Sequence, residues 1–537
     1  MRLELIRPLG ELIRGQAERV GSSVAFEDAH RAVTYARLAE RTERLAGHLR
    51  HLGVEPGHSV ALMLPNSVDW IEACFAVARA DGVVVPISHD AAPDEVAYRL
   101  ADANCGVVIT TDEQAPMIAA LPWSEARAAQ LIIGDRGNAR FDAGYRLDRL
   151  LAEPAVVPPR DPRSLEATRF IVYTSGTTGR AKGVKLSERS MLWIVACCWS
   201  PIAGLSEKDV LLCPLPLFHS YGLNLCVLGV LATGAREYIL ERFSVHEVLR
   251  LLGSGAFTMM PGVPTMFHYL LNASRANGRP PAGQMRVCIS AGAILSGSLN
   301  AEFEAHFRVP LLDGYGITET STMVTMNWPT GERVMGACGL PLPGVAVRLL
   351  DPMTGADVQS GDEGEIVIRG PNLMQGYHNK LEETATALRD GWYRTGDLAR
   401  SDANGLLTIT GRLKELIIRG GQNIAPAEVE RVLAAHHAVL DCAVVGIAHE
   451  HLGEVPVAFV VPREDVDLEL GAIIAHCGEH LSAYKVPAAI HIISEIPRTG
   501  SGKVMRFRLR DQLRSPLPTR DGAGKRPTGL LRTIAPE

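Results

Sequence analysis

A buried strand, a helix and a second buried strand, read in that order, limit this chain more than any other feature. Residues 59–64 (SVALML) form a continuous apolar run that ends at Pro65 and Asn66. Ile71, Phe75 and Ala78 then recur at helical spacing, and residues 83–87 (VVVPI) are apolar again. Strands joined by a crossover helix lie parallel, and strands covered on both faces lose the in–out alternation of a half-exposed sheet. Further runs at 106–110, 131–133, 170–173, 210–212, 237–240, 287–289 and 311–312 continue the pattern to about residue 330. An α/β fold with mainly parallel sheets is expected over this region.

The pattern changes after Gly339. Residues 345–350 and 365–369, separated by a turn at 351–355, read as a hairpin, and 406–410 fits a further strand. Beyond Gly411 a compact α+β alternation follows: helices at 428–438 and 470–481, strands at 442–447, 457–461 and 491–493. The expected organisation is a large N-terminal domain, 1–410, and a small α+β C-terminal domain, 411–512. The first comprises two mainly parallel α/β subdomains to about 335 and a small β-barrel-like subdomain at about 336–410. Residues 513–537 lack periodicity and are expected to be a disordered tail.

Composition removes some classes. Lys and Arg total 54 against 60 Asp and Glu, a formal charge of −6, which gives no basic face for nucleic acid. Ten cysteines in 537 residues, none in a CxxC pair, fit reduced thiols rather than a disulfide scaffold. The first 21 residues lack a continuous apolar segment; Leu5, Leu9, Leu12 and Ile13 suggest an amphipathic helix instead. The apolar stretch 210–235 carries Pro214, Pro216, His219 and Asn224, a poor membrane span. A cytoplasmic location is expected, with a homodimer left open.

The strongest local signal is YTSGTTGRAKGV at 173–184, directly after an apolar strand. Thr174, Ser175, Thr177 and Thr178 supply hydroxyls; Gly176, Gly179 and Gly183 let backbone N–H groups approach an anion; Arg180 and Lys182 add positive charge. The order is not GxxxxGK[ST], because Lys182 follows Gly179 by three residues and precedes Gly183. Four more motifs follow: SAGAIL at 290–295, DGYGITE at 313–319, YRTGDL at 393–398 with GRLK at 411–414, and PRTGSGKV at 497–504.

Together, in this order, the motifs resemble the adenylate-forming superfamily: acyl-CoA synthetases, amino-acid adenylation domains and beetle luciferases. The resemblance covers roughly residues 20 to 512. Ala181 stands where that family commonly has Pro, and Ala291 where Gly is common. It implies ATP, Mg²⁺ and coenzyme A as cofactors. It also implies that Thr174, Ser175, Gly176, Thr177, Thr178, Gly179 and Lys182 cradle phosphate. Gly292 and Ala293 would flank the nucleotide and acyl pocket, and the small residues Ala291, Gly292, Ala293 and Gly314 are expected to leave room for a bulky or long apolar acyl group. In the segment Asp313, Gly314, Tyr315 and Gly316, Tyr315 would pack on adenine. Thr318 would touch the α-phosphate, and Glu319, with Thr174, would hold Mg²⁺. Asp397 and Arg412 would bind ribose, Lys414 would be the hinge, and Gly420 and Gly421 would face the pantetheine path. Lys503 would be the catalytic cation.

The segment PLFHSYG at 216–222 resembles the acyl-CoA synthetase form, with His219 as a gate or wall of the acyl pocket. Amino-acid-activating members of the family commonly carry an Asp near here to pair the substrate ammonium; none stands in this segment, so the resemblance implies an acid without an α-amine. The short route from Gly370 to Tyr393 resembles CoA ligases rather than ligases that load carrier proteins. No carrier domain with its Ser attachment motif is read in the chain. A carrier-protein acceptor and a non-catalytic nucleotide-binding relative remain as alternatives.

Overall fold

The computed structural model describes residues 1–122, 130–134, 141, 143–174, 181–276, 283–463, 469–498 and 504–514. Its centre is two large sheets. One has nine strands in the spatial order Leu340–Pro341, Thr325–Met326, Leu311–Tyr315, Val287–Ser290, Met259–Gly262, Val210–Cys213, Arg236–Ile239, Val24–Glu27 and Ala32–Thr34. Pairing is parallel from Leu311–Tyr315 across to Val24–Glu27 and antiparallel at both edges. The other has eight strands: Gly376–Tyr377, Lys182–Ser187, Thr168–Thr174, Val83–Pro86, Ser59–Met63, Val107–Thr111, Gln130–Gly134 and Tyr145–Arg146. It is parallel from Thr168–Thr174 onward.

The expected βαβ unit is present. Every residue of Ser59–Met63 and Val83–Pro86 is buried, as strands covered on both faces must be. Between them, helix Val68–Arg79 is capped by Ser67, whose backbone is still extended and whose side chain accepts the N–H of Trp70. One core cluster joins both sheets with helices Tyr35–His51 and Val68–Arg79. All ten cysteines are unpaired and buried. No helix among the described residues is long and apolar enough to cross a membrane.

One buried ion pair ties the amino terminus to the sheets. Arg169 and Glu188 are each 1% exposed, with Nε to Oε1 at 2.8 Å. Glu188 Oε2 also accepts the N–H of Leu9 at 3.0 Å, at the start of helix Leu9–Val20. Arg169 reaches Asp81 and the carbonyl of Gly82 as well. Burial drives the Glu188 carboxyl pKa up and Arg169 opposes it. Two ions buried at this depth persist only with such complete pairing.

The remaining strands form two smaller sheets. Ala346–Leu350, Glu363–Arg369, Leu388–Arg389, Trp392–Ser401 and Leu407–Arg412 pair antiparallel throughout. The expected hairpin is there, its turn built on Asp351, whose Oδ1 accepts the N–H groups of Met353 and Thr354 at 2.8 Å each. Gly376–Tyr377 departs from the expected grouping: it adds to the edge of the eight-stranded sheet. The last sheet holds Ile417–Arg419, Gln422–Ile424, Val439–His449, Gly453–Pro462 and Ala489–Ile492, with helices Pro426–Ala435, Leu470–His480 and Arg506–Arg514.

Candidate active site

The carboxyl ends of parallel strands gather loops on one edge of a sheet, where α/β proteins place ligands. Val210–Cys213 leads to His219, Val287–Ser290 to Gly292, and Leu311–Tyr315 to Glu319. Ser220 Oγ lies 3.3 Å from Thr318 Oγ1, so the first and third of these loops touch. His219 is half-buried, with its ring 4.4 Å from that of Phe218.

The strands on either side of the phosphate-type loop are paired. Thr168–Thr174 and Lys182–Ser187 pair antiparallel, Thr174 opposite Lys182 and Tyr173 opposite Gly183. Ser175, Gly176, Thr177, Thr178, Gly179 and Arg180 lie outside the described residues. Both stems are anchored: the Tyr173 hydroxyl donates to Asp102 at 2.6 Å, and the Tyr98 hydroxyl donates to the carbonyl of Ala181 at 2.9 Å.

Lys182 and Glu319 are linked through a tyrosine that sequence reasoning missed. Lys182 Nζ sits 4.9 Å from the ring centroid of Tyr377, a cation–π contact. The Tyr377 hydroxyl donates to Glu319 Oε1 at 3.0 Å and lies 3.2 Å from the Tyr393 hydroxyl. The carbonyl of Glu319 accepts the N–H of Met374 at 2.8 Å, which fixes the short turn Thr318–Thr320. No cationic side chain pairs with the Glu319 carboxylate among the described residues. A half-buried carboxylate that Tyr377 links to Lys182 offers the oxygen donor that Mg²⁺ prefers, and Thr174, opposite Lys182, is the nearest hydroxyl residue of the paired strands in register.

A second cluster centres on Asp397, whose side chain is 6% exposed. Its Oδ1 accepts from Arg412 Nε at 2.8 Å and its Oδ2 from the Tyr315 hydroxyl at 2.5 Å. The cross-strand pairing of Asp397 with Arg412 sets the first contact. Asp397 holds the Arg412 guanidinium pKa above its ordinary value, and burial together with Asp397 raises that of the Tyr315 phenol. The two motifs that were 82 residues apart in sequence are therefore one cluster.

Asp313 and Ser290 are register partners on adjacent parallel strands. Asp313 Oδ1 and Ser290 Oγ are both buried without a hydrogen-bond partner. Burial keeps the Asp313 carboxyl well above the usual carboxylate range. Unsatisfied buried oxygens cost free energy, so polar ligand groups fit best where such oxygens remain.

The glycines divide. Gly292 has φ +87° and an added Cβ would meet nothing nearer than Val263 Cγ1 at 3.7 Å. Gly314 leaves no such room, contrary to the expectation that its small size opens the pocket. A Cβ there would collide with Met323 Cε and lie 2.9 Å from Met326 Sδ. Its smallness serves packing against those methionines. Gly316 lies against the backbone of Thr322, and Ala293 is exposed.

Past Arg412 the chain enters the C-terminal unit. Lys414 is exposed in the short turn Leu413–Glu415, and Glu415 pairs with Arg506 at 3.0 Å. Gly420 and Gly421, at φ +55° and +82°, close the hairpin in which Arg419 faces Gln422. Two successive left-handed residues are what a two-residue hairpin turn requires. Lys503 lies outside the described residues.

A family profile described as AMP-binding enzyme matches residues 13–378, and one described as AMP-binding enzyme C-terminal domain matches 428–503. The chain is 36% identical over 530 residues to a naringenin synthase of Pestalotiopsis fici, covering 95% of this chain but only 19% of that relative's length. It is 34% identical over 483 residues to a feruloyl-CoA synthase of Amycolatopsis, covering 89% of this chain and 94% of the relative. Among solved structures, ATP-bound MatB from Rhodopseudomonas palustris is similar at TM-score 0.84 and 30% identity, over 94% of this chain and 98% of that one.

Proposed function

The chain belongs to the AMP-binding enzyme family, and from that premise we propose that it is an AMP-forming acid–thiol ligase. It would activate a carboxylic acid as its acyl adenylate, releasing pyrophosphate, and then pass the acyl group to the thiol of coenzyme A. The observation that carries this reading is the joining of two motif groups in space: Lys182 and Glu319 through Tyr377, and Tyr315, Asp397 and Arg412 through paired hydrogen bonds.

Each group has a task. A carboxylate is unreactive to thiols because its leaving group would be oxide. Attack of its oxygen on the α-phosphorus of ATP breaks the bond to pyrophosphate and leaves AMP as the later leaving group. Two anions must approach, so cationic charge has to be supplied locally. The phosphate hairpin, residues 174–182, holds the triphosphate through hydroxyls, backbone N–H groups and Lys182. Thr318 contacts the α-phosphate. Glu319 and Thr174 would hold Mg²⁺, which when bound neutralises phosphate charge. Asp397 accepts the ribose hydroxyl protons on its remaining lone pairs while Arg412 fixes its orientation. Tyr315, Gly292, Ala293, Asp313, Gly314 and Gly316 form the nucleotide wall, and His219 borders the acyl pocket. The C-terminal domain, 411–512, carries Lys503 to the α-phosphate. It then turns about Lys414 to present Gly420 and Gly421 to the pantetheine thiol.

Likeness to a feruloyl-CoA synthase makes aryl-substituted acids the first to test. The chain spans about one fifth of the naringenin synthase's length, and the thiol of a carrier protein is the second acceptor to test. Acid-dependent exchange of labelled pyrophosphate into ATP tests activation itself. Exchange with at least one acid of a broad panel is expected. Tight ATP binding with no exchange for any acid would support a binding-only relative instead.

A further inference from the structure

A second polar cluster stands in the C-terminal unit, outside every residue assigned above. Helix Leu470–His480 ends in AHCGEH, so His476, Glu479 and His480 fall at i, i+3 and i+4 on one face. One donor atom from each lies within 4.8 Å of the others. We propose that His476, Glu479 and His480 bind a divalent transition cation of the zinc class.

The hydrogen bonds around the two rings fix which nitrogens are available. Nε2 of His476 lies 3.1 Å from the carbonyl of Val432, on helix Pro426–Ala435. Nδ1 of His480 lies 2.9 Å from the carbonyl of His476. A carbonyl can only accept, so each of these nitrogens carries the hydrogen. The neutral ring then presents a lone pair on its other nitrogen: Nδ1 of His476 and Nε2 of His480. An imidazole whose far N–H is anchored on a backbone carbonyl is the arrangement that orients metal-binding histidines. The His436 ring packs at 5.3 Å and 70° to that of His476, which further limits its rotation.

Donor chemistry selects the ion. Two imidazoles and one carboxylate suit zinc and its neighbours, whereas Mg²⁺ and Ca²⁺ require mainly oxygen. Glu479 and His480 are exposed, so an ion can enter from solvent and retain water in its remaining position.

The full chain, equilibrated with Zn²⁺ in excess Mg²⁺, is the material for the test. Bound zinc is counted by elemental analysis and affinity is measured by competition with a chromophoric chelator. About one zinc per chain is expected, bound at least about tenfold more weakly in His480→Ala and Glu479→Gln. His451→Ala, on a separate loop, should bind as the parent does. Both test side chains are exposed, so their replacement leaves the fold in place, and unchanged melting curves verify this. The proposal is overturned if the parent chain takes up no stoichiometric zinc, or if His480→Ala binds it as tightly as the parent.

Discussion

Lys503→Ala is expected to slow acyl-adenylate formation by about 10²–10³-fold, by analogy with the loss of one preorganised hydrogen-bond donor. Thioester formation from supplied acyl adenylate should be nearly unchanged. The asymmetry follows from where charge develops. In the first half-reaction a carboxylate oxygen closes on a phosphate and pyrophosphate departs, so a cation at phosphorus stabilises the transition state more than the ground state. In the second, on the proposed mechanism, a thiolate attacks a carbonyl and AMP leaves, and the cation of Lys503 has no charge developing at phosphorus to stabilise. The stem of the Lys503 loop is held. Arg498 and Val504 form an antiparallel bridge, the N–H of Met505 donates to the carbonyl of Pro497 at 2.8 Å, and Arg498 pairs with Asp441 at 2.9 Å. The contacts on either side of Lys503 do not involve its side chain, so folding should be spared. Measuring both half-reactions on one preparation checks this. Equal losses in both, or unchanged adenylation, would remove Lys503 from the assigned role.

Asp397→Ala is the second large effect, and it should appear in stability and nucleotide binding together. The mutation strips the Nε partner from Arg412 and the acceptor from the buried Tyr315 hydroxyl. Breaking one side of a buried charged pair costs about 2–5 kcal/mol. The low end, roughly 2 kcal/mol, is expected here because Arg412 is 36% exposed and water can replace part of the loss. Hydrogen bonds to a charged group are worth about 1.5–3 kcal/mol each, so loss of the ribose contact should weaken ATP by about tenfold or more. Denaturant unfolding and the KM for ATP read the two effects separately. A stability loss with an unchanged KM would make Asp397 a purely structural partner of Arg412 and Tyr315.

The parallel core was legible because burial on both faces writes itself into a strand as unbroken apolar residues. Ser59–Met63 and Val83–Pro86 needed no partner to be recognised. Lys182–Ser187 (KGVKLS) was not read as a strand. It follows the loop near a sheet edge and mixes buried with half-exposed residues, so the run that marks its neighbours is absent. The π-helical segment Gly222–Gly229 was invisible for the opposite reason: every residue is buried, and with Asn224 as its one polar side chain it has no apolar period to read. Tyr377 escaped because its position is set by pairing with Val184, a contact no local pattern encodes. The candidate site shows the same division. Motif order placed Asp397, Arg412 and Tyr315 on one ligand, but their mutual hydrogen bonds depend on strand register. Gly314 looked like empty space in sequence because the methionines that fill it come later in the chain.

The most direct measurement is AMP release by the purified chain across a panel of aryl and aliphatic acids, each with and without coenzyme A. The account predicts rapid turnover for at least one acid only when both acid and coenzyme A are present, with one acyl-CoA thioester formed per AMP. Acid-dependent AMP release that coenzyme A neither accelerates nor converts to thioester would contradict coenzyme A as the acceptor.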